Sequence, residues 1–555
     1  MKKSRRIVAV VIVVLMCLLA LTSCGGNSNN NTTSGGENTS VQSPSDSSNS
    51  STSQTPGRTE AEEAATVSEA PKGDDVRFAD AIDIIIDNTP VSHLNAFLGG
   101  SPAQIWSFNL MFDRLLYYAG AGDYRPSLAT EWSTEDYKTF NFKLRDDVVF
   151  HNGEKFTAND VVFTVNYGKN PETSTSSTWP LIDTVTALDD HNVQIVLKNT
   201  DVDFYFRISA PGAPIVNEKA LTDNPATGMT IGTGAFSLTE FVENNYWSFE
   251  RNDNYWGEPP ITKKITMRYI PELASRTIMM QNKESQLCLK TNPDDMDLFV
   301  GNPDYWIDDH IVNNPTLIQF NMTDPLCMDY NFRMAIASAI NRAEIALVAG
   351  GEYYLGDYEG GGVWGHGTEF RNTDIPMVPE DIEAAKEYLA LSPYNGETVE
   401  IAAVNMVTTS RAAEVVQEQL SKINIKIDIK LLEGVAMNEY TQWGNNKAQM
   451  IMNPIPFSSS ASSFRSAVYP GSPGNRTSYN NPVVTELLDR AASTFDYDER
   501  GNIYKEIQAT IAEDPPYFNM WYLLQTVVAV KGLGGFNFPG DNLYDFRYIY
   551  WQIEG

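Results

Sequence analysis

The tightest constraint on the fold lies between residues 126 and 165, PSLATEWSTEDYKTFNFKLRDDVVFHNGEKFTANDVVFTV. Phe140, Phe142 and Leu144 alternate with Asn141 and Lys143, the period of a strand. A short helix ending near Trp132 precedes it, and Val148-Val149-Phe150 reads as a second strand closed by the turn His151-Asn152-Gly153. Thr157 and Asp160 then open a helix as a capping box, their side chains answering backbone N–H groups that have no partner inside the helix. No catalytic group is concentrated here. What the stretch supplies is architecture, strand and helix in close alternation.

Residues 1–23 start with Lys2, Lys3, Arg5 and Arg6 and continue in an uncharged apolar run over 7–21. The run is short for a membrane span and has the layout of a secretory signal. It ends in Leu21-Thr22-Ser23-Cys24, which resembles the lipobox of bacterial lipoproteins. The resemblance implies that Cys24 carries diacylglycerol and becomes the mature N-terminus, the alternative being an uncleaved anchor helix. Residues 24–73 are Ser, Asn, Thr, Gly and Gln with almost no apolar content, too little to offset the cost of ordering them. Such a tether reaches roughly 40 Å at about 5–6 Å × √n. With no Asp after Cys24, this fits a Gram-positive-like lipoprotein on the extracellular face of the cell membrane.

The remaining body is too long for one core and long enough for two or three domains. The whole-chain charge of −31 becomes −35 once the four basic residues of the signal are removed. An acidic surface of this kind repels nucleic acid and anionic lipid, and neither is expected as a partner. Outside the signal and Cys24, Cys288 and Cys327 are the remaining cysteines. A disulfide is permitted outside the cell, and two buried free thiols are equally compatible with the sequence.

Along the chain, 81–86 reads as a buried strand and 105–118 as a helix ending in the pair Tyr117-Tyr118. Residues 183–197 give two strands about the turn 189–192. Gly232-Thr233-Gly234 reads as a tight turn whose glycines allow conformations a side chain would block. A shortened helix at 274–282, a short strand at 295–300, a helix over 331–345 and a helix at 379–391 follow. Then come a strand at 399–403, a helix at 412–422, a strand at 425–432, helices at 483–493 and 498–512, and a run over 514–529 that returns the chain to its first half.

Taken in order, PSLATEW, TFNFKLRDDVVFHNGEKFTANDVVFTV, IGTGAF, FERNDNYWG and NFRMAIASAINRAEI resemble the extracellular solute-binding proteins, family 5, of peptide- and nickel-type ABC transporters. The resemblance covers about 76–550; Ala96, Ala235 and Asn341 depart from the usual Pro, Pro and Asp. It implies an α/β, two-lobed periplasmic-binding-protein-like fold with a ligand cleft at the hinge. Lobe one would span 74–310, with a small extra subdomain at about 110–230, lobe two 311–514, and 515–555 would return to lobe one. It further implies a monomeric binding protein that hands a small solute to an ABC permease complex.

Chemistry for an enzyme is missing from the sequence. His93, His151, His191, His310 and His366 show no metal-pair spacing, there is no Gly-x-Ser-x-Gly elbow or Walker loop, and no metal or cofactor is expected. His151 reads as turn packing. Residues 360–365 fit G-x-G-x-x-G but do not follow a strand, so they read as a loop near the cleft with Trp364 offering an apolar face. Asp146-Asp147 and Asp308-Asp309 read as solvated turns.

The resemblance places the cleft strand of lobe two at 448–457, which in peptide-binding members is followed by an Asp that pairs with the ligand ammonium. Here the segment is AQMIMNPIPFSSSASSFR, and no Asp or Glu occurs between Tyr440 and Thr485. Asn453, Ile455, Phe457 and Ser458 then form an apolar, uncharged platform, with Trp364, Trp443, Tyr246, Trp247 and Arg465 as further cleft residues. Free dipeptides are expected to bind such a site poorly, and a capped peptide or an oligosaccharide to suit it. The competing readings are a ligand sensor and, needing two convergent acids, a surface hydrolase.

Overall fold

A computed structural model describes residues 70–553 apart from 73–75, 87–89, 121, 352–361, 363, 366, 456, 459 and 537–543. The signal at 1–23, the lipidation site Cys24, all of the 24–73 tether but 70–72, and Gly360, Gly361, Val363 and His366 lie outside the described residues.

Ala81–Ile85 forms the expected strand and pairs in parallel with Lys264–Arg268 and with Leu287–Cys288. It belongs to a ten-stranded mixed sheet. From one edge the order is Lys426–Leu432, Thr398–Val404, Met450–Pro454, Tyr305–Phe320, Tyr517–Val530, Leu287–Cys288, Ala81–Ile85, Lys264–Arg268, Tyr246–Arg251 and Phe236–Val242. The long antiparallel pair Tyr305–Phe320 and Tyr517–Val530 runs between four groups of buried side chains. One group is drawn from residues 82–299 and 527–549, the others from 317–521. The register of the pair shifts between Ile311 and Pro315. Proline has no N–H to give a ladder, which makes this a natural place for the break.

A separate four-stranded sheet, Ala129–Ser133, Thr139–Leu144, Asn192–Leu197 and Ile182–Asp189 in spatial order, packs against the helix Ala158–Lys169. The capping box forms: Asp160 Oδ2 accepts from the Thr157 N–H at 2.9 Å. The helix expected before Trp132 is instead a strand, because Glu131, Trp132 and Ser133 find ladder partners in Lys143, Phe142 and Asn141. Val148-Val149-Phe150 makes only an isolated bridge, Val149 to Lys155.

Other elements also depart from the sequence pattern. The helix over 105–118 is Pro102–Met111, and Tyr117-Tyr118 lie in the strand Leu116–Gly120. Residues 295–300 fall in and after the 3-10 turn Pro293–Leu298 rather than a strand. The single helix at 331–345 is two, Tyr330–Ala339 and Arg342–Gly350, because Ile340 is extended and the Asn341 side chain caps the second at Glu344 N–H, 2.8 Å. Asp308 and Asp309 sit in the long strand, paired with His310 and Thr526, rather than in a turn.

Gly232 and Gly234 are needed for proximity rather than for a left-handed turn. A Cβ on either would fall 2.0 and 2.3 Å from the carbonyl oxygens of Met111 and Leu110. His151 holds the same loop, its Nε2 meeting the Gly234 carbonyl at 2.9 Å and its Nδ1 the Gly232 N–H at 3.3 Å. Cys288 and Cys327 are free and buried. Burial raises both thiols above their ordinary pKa. No described helix is long and apolar enough to cross a membrane.

Candidate functional site

The hairpin Leu116–Gly120 and Asp123–Pro126 turns at Gly122, whose φ of +75° suits glycine. The Tyr497 ring packs there so closely that a Cβ on Gly122 would stand 2.8 Å from it. Next to this contact Tyr118 Oη donates to Glu369 Oε1 at 2.9 Å, and Tyr497 Oη reaches the same oxygen at 3.4 Å. Tyr137 and Phe495 stack with centroids 4.6 Å apart. Glu369 is held from behind by Trp364, fully buried, whose Nε1 donates to the Glu369 carbonyl at 2.9 Å. The Trp364 ring lies 4.1 Å from Phe464, and its own carbonyl accepts from Tyr522 Oη at 2.6 Å.

Between these segments lies a cavity of about 410 Å³ walled by Tyr124, Asp203, Tyr205, Glu369, Tyr497 and Arg500 among others. A hollow of about 310 Å³ beside Asp201 and Arg465 shares Asp203 with it, and one of about 480 Å³ beside Phe206, Ser458 and Tyr469 shares Arg465 with that second hollow. Arg207 is taken up by Asp201 at 2.8 Å, and Arg465 by Asp489 at 2.6 Å. Burial raises the Glu369 carboxyl, the Tyr118 hydrogen bond opposes this, Asp203 adds to it, and Arg500 and the Ala461 backbone oppose it. Burial and then the neighbouring Asp201 raise Asp203 as well, against Arg207, Arg500 and the Ser462 hydroxyl. The Tyr497 phenol is pushed up to about 12, by burial first and Glu369 next, and so remains a donor. Among the described residues no grouping of three His, Cys, Asp or Glu could hold a metal ion.

A model of the bacterial extracellular solute-binding proteins, family 5, middle region, matches residues 123–475. The chain belongs to this family. The nickel-binding periplasmic protein of Escherichia coli K12 is 24% identical over 471 residues, 78% of this chain and 88% of that protein. The oligopeptide-binding protein AppA of Bacillus subtilis 168 is 25% identical over 455 residues, 74% of this chain and 80% of that protein. Among solved structures, the ABC transporter substrate binding protein CtaP of Listeria monocytogenes superposes with a TM-score of 0.75 at 21% identity, covering 86% of this chain and 100% of that one. At that identity the likeness shows the fold, which is the two-lobed α/β arrangement of periplasmic binding proteins.

Within this family 5 protein the residues singled out from sequence occupy different surroundings. Ser458 lines the 480 Å³ hollow, and its carbonyl accepts from Thr368 Oγ1 at 3.0 Å and Asn313 Nδ2 at 3.2 Å. Arg465 lines both the 480 and the 310 Å³ hollow, lies 3.7 Å over the Tyr469 ring, and has its Nη1 buried without a partner. Phe457 and Trp364 join one buried aromatic cluster with Phe464. Asn453 is buried and accepts from Gln319 Nε2, while the Ile455 N–H donates to the Pro315 carbonyl at 2.9 Å. Trp247 is buried, with Nε1 on Ser107 Oγ at 2.8 Å; Tyr246 donates to Glu240 at 2.8 Å; Trp443 is half-buried. These last three line none of the hollows described above.

No carboxylate lies within 441–484, and those lining the 410 Å³ cavity, Asp203 and Glu369 among them, come from other stretches. Sequence reasoning passed over them, along with Tyr124, Tyr205, Tyr497 and Arg500. They come from separate stretches of chain with no shared motif, and only Tyr118 had stood out, as half of an aromatic pair.

Proposed function

We propose that the chain is the non-catalytic substrate-binding component of an ABC import system, which captures a peptide or peptide-like solute and delivers it to a membrane permease. The observation that carries this reading is the 410 Å³ cavity, whose wall is drawn from residues 122–205 on one side and 369–500 on the other. A site divided in this way is completed only when its two sides meet, so a ligand that touches both shifts the population towards closure. The relatives named for oligopeptide and nickel binding are consistent with it.

In this reading lobe one is 74–310 with its extra subdomain at 110–230, lobe two is 311–514, and 515–555 returns to lobe one. The register break at Ile311–Pro315 is the bending point. Ser458 and Arg465 extend the site from the cavity along lobe two, with Phe457, Asn453, Ile455 and Trp364 shaping its floor. Trp443, Tyr246 and Trp247 complete the proposed set. Cys24 anchors the monomer to the outer face of the membrane, and the 24–73 tether lets it reach the permease. The aromatic walls favour one second reading, a non-peptide solute such as an oligosaccharide, bound for import or for sensing.

Thermal unfolding of the full chain in detergent tests this, with a library of short peptides and a library of oligosaccharides. A concentration-dependent rise in Tm with peptides supports the first reading. A rise with oligosaccharides alone replaces it with the second, and no rise with either overturns both.

A further inference from the structure

The charges around the 410 Å³ cavity do not balance. Three carboxylates, Asp123, Asp203 and Glu369, line it with one guanidinium, Arg500, and of the three Asp123 is paired with Arg125 at 2.8 Å, which leaves Asp203 and Glu369. Arg207 and Arg465, the nearby alternatives, are already engaged by Asp201 and Asp489. Arg500 itself donates to the Thr494 carbonyl at 3.2 Å and lies 5.5 Å over the Tyr497 ring, and it is not ion-paired with either carboxylate. Both tyrosine hydroxyls that reach Glu369 do so at Oε1, and with the Ala461 backbone they leave the carboxylate, which has four lone-pair positions, room for a further donor.

The remaining walls are π-faces. Tyr124 and Tyr205 stand 5.7 Å apart at 55°, and Tyr137 and Phe495 stack beside them. Aromatic faces attract cations through the ring quadrupole, and more strongly where water is excluded. Carboxylates and tyrosine faces together favour the same kind of guest, and each observation stands without the other.

We infer that this cavity receives an organic cation, a primary ammonium or a guanidinium carried by the captured solute, with Glu369 and Asp203 as its carboxylate partners and Tyr124 and Tyr497 as its aromatic walls. The inference rests on the reading of the chain as a solute-binding protein and names the chemical class its site selects. Two like charges brought together in a half-buried space repel until an opposite charge arrives, so the guest cation relieves a cost the empty protein carries. Burial is the first cause of the raised pKa of both carboxyls, with Asp201 adding to Asp203 and Asp203 adding to Glu369. A bound metal ion is a weaker match, because among the described residues no group of three His, Cys, Asp or Glu is placed to hold one.

The test uses matched pairs of compounds, one member carrying the cation and the other lacking it, added to the full chain at pH 7 and followed by Tm and by calorimetry. The pairs are acetyl-Ala-Lys-Ala-amide against its norleucine counterpart, acetyl-Ala-Arg-Ala-amide against its citrulline counterpart, tri-alanine against acetyl-tri-alanine, and chitosan trimer against chitin trimer. The expected result is that the cationic member binds at least tenfold more tightly than its neutral partner. E369Q and D203N should each remove at least tenfold of that preference. A single cooperative thermal transition in each unliganded variant shows that it is folded. The lysine and arginine pairs separate ammonium from guanidinium. Equal binding of neutral and cationic members, or a preference unchanged in both variants, overturns the inference and leaves the importer reading standing. Failure of every compound to bind overturns both.

Discussion

Tyr118 Oη and Glu369 Oε1, 251 positions apart in sequence, are joined by a 2.9 Å hydrogen bond. The donor comes from a hairpin of the first half of the chain and the acceptor from a loop braced by Trp364 in the second. Hydrogen bonds to a charged group contribute about 1.5–3 kcal/mol. Tyr118→Phe is therefore expected to weaken ligand capture by roughly tenfold or more, with little loss of global stability because neither core is disturbed. Calorimetry beside denaturant unfolding checks this; unchanged affinity would mean that the contact is not part of the closed state.

Asp113 is buried where three donors converge, Trp256 Nε1 at 2.8 Å and Thr233 Oγ1 and Tyr255 Oη at 3.1 Å, with Arg547 at 3.7 Å. In Asp113→Asn one acceptor becomes an NH2 group that must face a donor. The expected destabilisation is about 2–4 kcal/mol, read as a lower denaturant midpoint with an altered Trp fluorescence. A change under about 1 kcal/mol would show that the network is not load-sharing.

Gly232→Ala places a Cβ against the backbone carbonyl of Met111, which cannot swing aside as a side chain would. Overpacking of this kind costs about 1–3 kcal/mol or more. Gly212→Ala, where a Cβ meets nothing within 4 Å, serves as the control and is expected to leave the denaturant midpoint unchanged.

His151 carries a pH signature. Burial lowers its pKa from 6.5, so the folded protein holds it neutral, donating from Nε2 to Gly234 and accepting at Nδ1 from Gly232. The unfolded chain takes up the proton more readily. The contribution of His151 is thus complete above about pH 6.5 and is lost as pH falls from there through the lower folded value. Unfolding free energies between pH 7.5 and about 5 should fall more steeply for the native chain than for His151→Gln; parallel curves would refute this.

Much of the fold was legible from sequence because it rests on local rules. The alternation at 139–144 and the Thr157–Asp160 capping box both formed as read. The misreadings lie where a distant partner overrode local preference. Residues 129–133 became a strand because Phe142 and its neighbours offered a ladder, and 331–345 broke into two helices when Asn341 took a capping role. The glycines at 232 and 234 were correctly marked as special, but the reason, contact with the end of the Pro102–Met111 helix, lies more than a hundred positions away.

By itself the sequence determined the family, the mixed α/β class and the absence of a carboxylate from residues 441–484, since each depends on residue order or on short-range periodicity. Only the tertiary structure decided which carboxylates line the cavity. Asp203, on one side of the cleft, and Glu369 and Arg500, on the other, meet through sheet pairing and chain crossovers between elements remote in sequence. No periodicity records such a meeting, because the distance between two side chains in space is set by how the cores around them pack and not by their spacing along the chain.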